Sequence, residues 1–253
     1  MINKTTIGEY RLNGVLKISN IIDTKTISTL KKEYKKYINK LLKQNKDRKK
    51  KDLGKNFNFI KNPNIPTSIH RLESHKSSYF FKVATRKIFN EIGSKLMKSK
   101  NKIHSIQFFF KNKKENLPTP LHQDNAYWCR KNGEGLSFWV ALNATNKKNG
   151  CMYYYKKTHK KKYVHKASDI PGSSLVIRET PKKEKIFFKL NPGDCVIHSS
   201  KTVHGSFKNT STNNRLAFII CFITKNSQQD KKLKKNYELN LKKRNLSRSK
   251  LIN

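Results

Sequence analysis

Residues 193–218 read GDCVIHSSKTVHGSFKNTSTNNRLAF. Two apolar runs bracket this stretch. CVIH, 195–198, follows the turn signal NPGD, and RLAFIICFIT, 215–224, begins at its far end. Their aliphatic, aromatic and β-branched content reads as strand in both. Between them His198 and His204 stand six residues apart, a spacing that fits neither one face of a helix nor an unbroken strand. Arg215 opens the second strand, eleven residues after His204. Short strands joined by polar turns are the pattern of a β-sandwich or jelly roll.

The same texture extends N-terminally. IHSIQFFFK (103–111), LSFWVALN (136–143), CMYYY (151–155) and KIFFKL (185–190) are further strand candidates, separated by NLPTP, KNGEG, KKNG and IPGSS. Before residue 100 the pattern differs. NGVLKISNII, 13–22, reads as a short strand. Ile27, Leu30, Tyr34, Ile38 and Leu41 then recur at helical spacing, with Asp23 or Thr24 as N-cap. Residues 45–70 are basic, contain two prolines and read as a long loop. A second helix is expected over about 76–98, with Phe80, Val83, Ala84, Ile88, Ile92 and Leu96 on its apolar face. The fold class is thus mainly β with flanking helices. Residues 1–224 form one domain, helix-rich over about 1–100 and β over about 101–224. Residues 225–253 form a basic tail, either a loose helix or disordered.

The 253 residues carry a formal net charge of +41, of which +8 lies in residues 225–253. Such charge attracts nucleic acid, acidic membranes or anionic small molecules. Its spread along the chain differs from a basic arm on a neutral domain. Lys, Asn and Ile also share A/T-rich codons, a second source of the same bias. The four cysteines (Cys129, Cys151, Cys195 and Cys221) form no C-x-x-C pair and read as buried free thiols. The N-terminus has no signal-peptide apolar region, and the longest apolar run, Leu216 to Ile223, is too short to span a bilayer. A soluble, cytoplasmic protein without a transmembrane segment is expected.

TPLHQDNAYW, 119–128, carries His122 and Asp124 two residues apart. On an extended segment such residues share a face, so an imidazole and a carboxylate there can grip one metal ion. H-x-D alone arises often by chance. A histidine of the opening stretch and Arg215 add to it. Two histidines and one carboxylate bind Fe(II) on one face and leave three positions open. Two suit a bidentate 2-oxo acid and the third dioxygen. The distal carboxylate of such a co-substrate calls for a cation, and arginine offers a planar fork of donors. Ser206, two residues after His204, is placed to add a hydroxyl.

PLHQDNAYW (120–128), FWVALNATNKKNGCMYYYKKTHK (138–160) and the opening stretch, in this order, resemble the phytanoyl-CoA dioxygenase family of Fe(II)/2-oxoglutarate-dependent oxygenases. EYRLNGVLKISNIIDTKTISTLKKEY, 9–34, is similar to that family's N-terminal strand and helix. The resemblance covers most of residues 9–224. It implies a double-stranded β-helix, a cupin-like jelly roll. It implies His122, Asp124 and His204 as iron ligands, Arg215 as 2-oxoglutarate anchor and Ser206 as its support. Trp139 matches a tryptophan lining the co-substrate pocket, with core packing as its other reading. Gln107 matches a polar pocket residue, set against a solvent-facing strand position. The activity implied is hydroxylation of a small molecule with O2, releasing succinate and CO2. The family's halogenases replace the carboxylate with a small residue, so Asp124 points away from halogenation.

Two departures stand out. KKTHK, 156–160, has no proline or glycine where the family often has P-G-S-H. Residues 160–185 form a basic insert, either a solvated loop or a rim that attracts an anionic substrate. His70, His75, His159 and His165 read as surface polar groups and His104 as structural. His198 is expected beside the site or in core packing, not on the metal. The runner-up function is an oxygenase acting on nucleic acid or a nucleic-acid-associated protein, suggested by the charge. A non-enzymatic jelly roll that keeps the metal residues for structure is the third.

Overall fold

A computed structural model describes residues 2–44, 57–59, 66–113 and 117–249. The helices are α1 (Lys4–Asn13), α2 (Thr24–Gln44), α3 (Tyr79–Ala84), α4 (Lys87–Met97), α5 (Asn125–Trp128) and α6 (Lys231–Ser249). The strands before residue 130 are β1 (Val15–Ile18), β2 (Phe57–Phe59), β3 (Pro66–Ile69), β4 (Asn101–Lys111) and β5 (Thr119–His122). Those after it are β6 (Gly135–Ala141), β7 (Met152–Tyr155), β8 (His165–Ala167), β9 (Leu175–Ile177), β10 (Lys185–Phe187), β11 (Cys195–Ser199), β12 (His204–Ser206) and β13 (Arg215–Thr224).

Strand β13 explains the architecture. It lies between β4 and β6, antiparallel to both, and all ten of its residues are buried. Successive side chains of a strand point to opposite faces. Leu216, Phe218, Ile220 and Phe222 therefore join one hydrophobic cluster, with Phe80, Phe89 and Ile92 of the helices. Ala217, Ile219 and Cys221 join another, with Trp139, Tyr154 and Val196. A strand covered on both faces needs no polar alternation, which is why RLAFIICFIT is apolar throughout.

The large sheet runs β1-β11-β6-β13-β4-β3-β2 and the small one β10-β7-β12-β5. From β4 to β7 the chain alternates between the two sheets, and it alternates again from β10 to β13. This is the double-stranded β-helix, a jelly roll. Helices α2 to α4 cover the outer face of the large sheet, and the second cluster fills the space between the sheets.

Several expectations change in detail. The segment expected as a loop over 45–70 contributes β2 and β3 at the sheet edge; 45–56 and 60–65 lie outside the described residues. The expected helix over 76–98 is two helices. Both the backbone N–H and the hydroxyl of Thr85 donate to Phe81 O, and Arg86 then turns extended. That break lets Arg86 donate to Thr26 Oγ1 in the first turn of α2 (2.9 Å). Asp23 caps α2 by accepting from Thr26 N (2.7 Å). Helix α1 had no periodic signal. It ends at Gly14, whose positive φ of 76° suits glycine. Gly14 O accepts from Ser199 N and Thr202 Oγ1, tying α1 to the turn after β11.

The insert is a hairpin. Strands β8 and β9 pair antiparallel, and β9 packs beside β5. Residues 231–249 form α6, which rests on this side: Tyr237 packs on Tyr127, and Arg244 donates to Ser174 Oγ. All four cysteines are buried and free. Among the described residues no helix is long and apolar enough to cross a membrane.

Candidate active site

Strand register brings the motif residues together inside the roll. His204 on β12 pairs with His122 on β5 to one side and with Tyr154 on β7 to the other. All three side chains face inward. Asp124 is not on an extended segment, contrary to the reading of H-x-D as a strand pair. The chain leaves β5 after His122, and Asp124 takes a helical conformation at the start of α5. The side chains converge all the same. His122 Nε2 lies 3.6 Å and His204 Nε2 3.4 Å from Asp124 Oδ1. These ligand atoms all fall within 4.8 Å of one another.

The imidazoles are aimed from behind. His122 Nδ1 sits 2.9 Å from Pro120 O, and His204 Nδ1 2.9 Å from Thr202 O. A carbonyl oxygen only accepts, so each Nδ1 carries its proton and each Nε2 turns its lone pair toward Asp124 Oδ1. Two neutral imidazole nitrogens and one carboxylate oxygen are the donor set of a non-haem iron site. Burial, the largest effect, and the neighbouring His204 imidazole both push the His122 pKa down, which keeps it the neutral ligand a metal needs.

The second oxygen of Asp124 is held separately. Ser137 Oγ donates to Oδ2 (2.8 Å), and His198 Nε2 lies 3.2 Å from it. Ser137 on β6 and His198 on β11 are register partners across the large sheet. One sheet thus supplies both histidine nitrogens and the other clamps the carboxylate, leaving Oδ1 free to face them. Burial alone would raise the carboxyl pKa. The electrostatic influence of the surrounding histidines, His204 foremost, outweighs it and holds Asp124 well below its ordinary range. His198 therefore stands behind the triad and does not join it. The sequence offered no sign of Ser137, although it lies two residues before Trp139 and so shares its face.

Arg215 sits farther along the interior. It is 3 % exposed, donates from Nη1 to Gly150 O (2.8 Å), and lies 5.1 Å from the centre of the Trp139 ring. The stack orients the guanidinium between strands β6 and β13. Ser206 also faces inward, and its hydroxyl donates to Thr119 Oγ1 (2.8 Å). Gln107 is on the interior face of β4, where its amide donates to Ser105 Oγ (3.1 Å) and toward Cys221 Sγ (3.8 Å). The interior thus runs from the His–Asp–His cluster toward a buried arginine.

Two contributors to the rim escaped the sequence reading. Gln123, the middle residue of H-Q-D, is 3 % exposed, donates to Lys161 O and Lys201 O, and accepts from Tyr163 N. His165, read as a surface residue, accepts from Gln123 N through Nε2 (3.0 Å). Burial is the main cause of its pKa falling to about 4. The insert is therefore anchored to the residue between two motif positions. Tyr127 braces the other side, with its ring edge-on to His122 and its hydroxyl accepting from Leu175 N.

A jelly roll with an inward His–Asp–His cluster and a buried arginine deeper in the same roll defines a non-haem iron oxygenase of the 2-oxoglutarate-dependent class. The chain belongs to the phytanoyl-CoA dioxygenase (PhyH) family, whose model matches residues 10–217. Iron, 2-oxoglutarate and dioxygen are the cofactor and co-substrates of that family, and His122, Asp124 and His204 could hold such a metal ion. A curated relative is the phytanoyl-CoA dioxygenase domain-containing protein 1 homolog of Dictyostelium discoideum. It is 23 % identical over 129 residues, so the match spans about half of each chain, 48 % of this one and 46 % of the relative. Among solved structures, the α-ketoglutarate-dependent carbocyclase SnoK from nogalamycin biosynthesis is 19 % identical with a TM-score of 0.70, over 90 % of this chain and 86 % of its own. The epimerase SnoN, in complex with Fe3+, α-ketoglutarate and nogalamycin RO, is 18 % identical with a TM-score of 0.67, over 89 % and 85 %. These structural likenesses show the fold.

Proposed function

We propose that the chain hydroxylates an anionic small molecule, with His122, Asp124 and His204 as iron ligands and Arg215 as the 2-oxoglutarate anchor. The observation that carries this reading is the convergence of His122 Nε2, Asp124 Oδ1 and His204 Nε2 in the same interior that holds Arg215. When bound, iron supplies the oxidative chemistry, in which 2-oxoglutarate and dioxygen become succinate and CO2 and one oxygen atom enters a substrate C–H bond. The protein's part is to orient and to exclude water. Pro120 O and Thr202 O set the imidazoles, and Ser137 and His198 set the carboxylate. Arg215 offers paired donors to the distal carboxylate of 2-oxoglutarate. Ser206 serves the same end by turning its hydroxyl from Thr119, Trp139 forms the pocket wall, and Gln107 lines the interior face of β4. The catalytic unit on this reading is residues 1–224, with 225–253 as a basic appendage.

The anionic substrate is supported by Lys160, Lys161, Lys162 and Lys166 on the insert beside β5, within a chain of net charge +41. Hydroxylation is supported by Asp124, because a carboxylate ligand leaves no room for halide. The test begins with anaerobic protein, Fe(II) and 2-oxoglutarate. A visible charge-transfer band is expected, and a folded sample without one refutes the site. With a turned-over substrate under 18O2, a product heavier by one labelled oxygen supports hydroxylation. Succinate formation with a product that gains no oxygen replaces it with a desaturating, cyclising or epimerising reaction.

A further inference from the structure

Tyr154 faces the interior from the middle of β7, beside His204. It is fully buried, and its hydroxyl has no hydrogen-bond partner among the described residues. The neighbouring polar side chains have partners elsewhere, apart from Nδ1 of His198. The two ligand histidines bond to carbonyls, Asp124 to Ser137 and His198, Ser206 to Thr119 and Arg215 to Gly150 O. The ring of Tyr154 stacks on His204 (5.9 Å between centroids) and tilts against His198 (5.2 Å). The ring also belongs to the interior cluster of Trp139, the residue over which the Arg215 guanidinium lies at 5.1 Å.

A buried hydroxyl without a partner destabilises a protein, and phenylalanine fills nearly the same space without that cost. A spare donor in an interior that also holds a buried guanidinium suits an anionic acceptor. It does not suit the apolar wall of Trp139, Ala217 and Ile219 opposite.

We infer that Tyr154 donates its hydroxyl hydrogen bond to the distal carboxylate of 2-oxoglutarate, sharing that group with Arg215. The inference rests on the co-substrate reading above. It makes Tyr154 a binding residue that selects 2-oxo acids with a second carboxylate. It also explains why the hydroxyl lacks a protein partner: the acceptor arrives with the ligand.

Calorimetric titration of the manganese(II)-loaded full chain tests it, with 2-oxoglutarate and with 2-oxobutyrate, which has no distal carboxylate. A hydrogen bond to a charged acceptor corresponds to about 10-fold or more in affinity. Tyr154→Phe is expected to weaken 2-oxoglutarate binding by that factor and to leave 2-oxobutyrate unchanged. Its ligand-free melting temperature should be no lower than that of the parent. Unchanged 2-oxoglutarate affinity overturns the inference, as does an equal loss for both acids, which would place the hydroxyl at the keto end. A lower ligand-free melting temperature overturns it too, because the hydroxyl would then serve the fold. Arg215→Gln separates the two levels. If it binds 2-oxoglutarate like the parent, the pocket reading fails and takes the inference with it. If it loses 2-oxoglutarate while Tyr154→Phe does not, only the inference fails.

Discussion

Removing the imidazole of His198 tests how the carboxylate is held. Asp124 Oδ2 has two contacts on the large sheet, Ser137 Oγ at 2.8 Å and His198 Nε2 at 3.2 Å. A hydrogen bond to a charged acceptor is worth about 1.5–3 kcal/mol. The His198 contact is the longer of the two, and Ser137 remains after its loss, so the lower figure applies. About 1.5 kcal/mol is close to tenfold in affinity, at the weak end of the roughly 10–100-fold seen when groups orienting a metal ligand are removed. His198→Ala should therefore bind Fe(II) about tenfold more weakly and still reach one equivalent. His204→Ala should not bind at all. Anaerobic titration of Fe(II) in the presence of 2-oxoglutarate, followed by the charge-transfer band, reads both. His198→Gln, which can keep a donor near the Nε2 position, should recover much of the loss. Because Ser137 and His198 share one acceptor, Ser137→Ala combined with His198→Ala should deviate from additivity. If His198→Ala abolishes binding as His204→Ala does, His198 is a ligand and the triad is misassigned. If His198→Ala and Ser137→Ala both leave the affinity untouched, the clamp has no role in metal binding.

Three further outcomes are expected. Gly205 lies between His204 and Ser206, and a Cβ there would approach Thr119 O and Tyr153 Oη to 2.7 Å. Gly205→Ala should lose about 1–3 kcal/mol in chemical denaturation as the strands part, together with metal affinity; full retention of both would show that β12 has slack. Gln123→Ala should speed hydrogen exchange over residues 161–177, because the two hydrogen bonds its amide donates and the one it accepts are lost; unchanged exchange would mean that the backbone contact to His165, Tyr127 and α6 hold the hairpin without it. Burial drives the His104 pKa down to about 4, with the nearby Arg130 charge adding to the effect. Between roughly pH 6.5, the unfolded value, and pH 4 the unfolded chain binds a proton that the folded chain refuses, so His104 lowers stability as pH falls through that window. Denaturation of metal-free His104→Phe against the parent should show a shallower acid limb, and an identical slope would refute the assignment.

Long elements were readable because one physical signal dominates each. β13 is apolar throughout because both faces are covered, and α2 shows the three–four spacing of a helix packed on one side. The short strands were not readable. β5 and β12 contain four and three residues, too few for a periodic pattern, yet they carry both histidines of the candidate triad. α1 has only Tyr10 buried, so no apolar stripe marks it. The tail helix α6 is held by Tyr237 and Arg244 against the insert, a contact that depends on a hairpin absent from its own sequence. The reading of residues 156–160 as a changed turn fits a one-turn 3-10 helix over Thr158–Lys160.

The site divides along the same line. His122, Asp124 and His204 could be named from H-x-D and H-G-S because ligand spacing within a segment is local. What aims them is not. Ser137 and His198 meet Asp124 through the register of β6 on β11, between segments about 60 residues apart, and neither sits at a fixed offset from the motif. Parity on a strand narrows the search. Ser137 shares the face of Trp139, His198 that of Val196, and Tyr154 that of Met152 across from Ser206. A strand assignment therefore yields the inward-facing residues, and an inward-facing polar residue must find a partner or cost stability. Applied to β6, β7 and β11, that rule selects Ser137, Tyr154 and His198 without any motif. Ser137 satisfies it through Asp124, and so does Nε2 of His198, though its Nδ1 has no partner among the described residues. Tyr154 does not satisfy it within the protein, and that separates a group that orients a ligand residue from one awaiting a ligand.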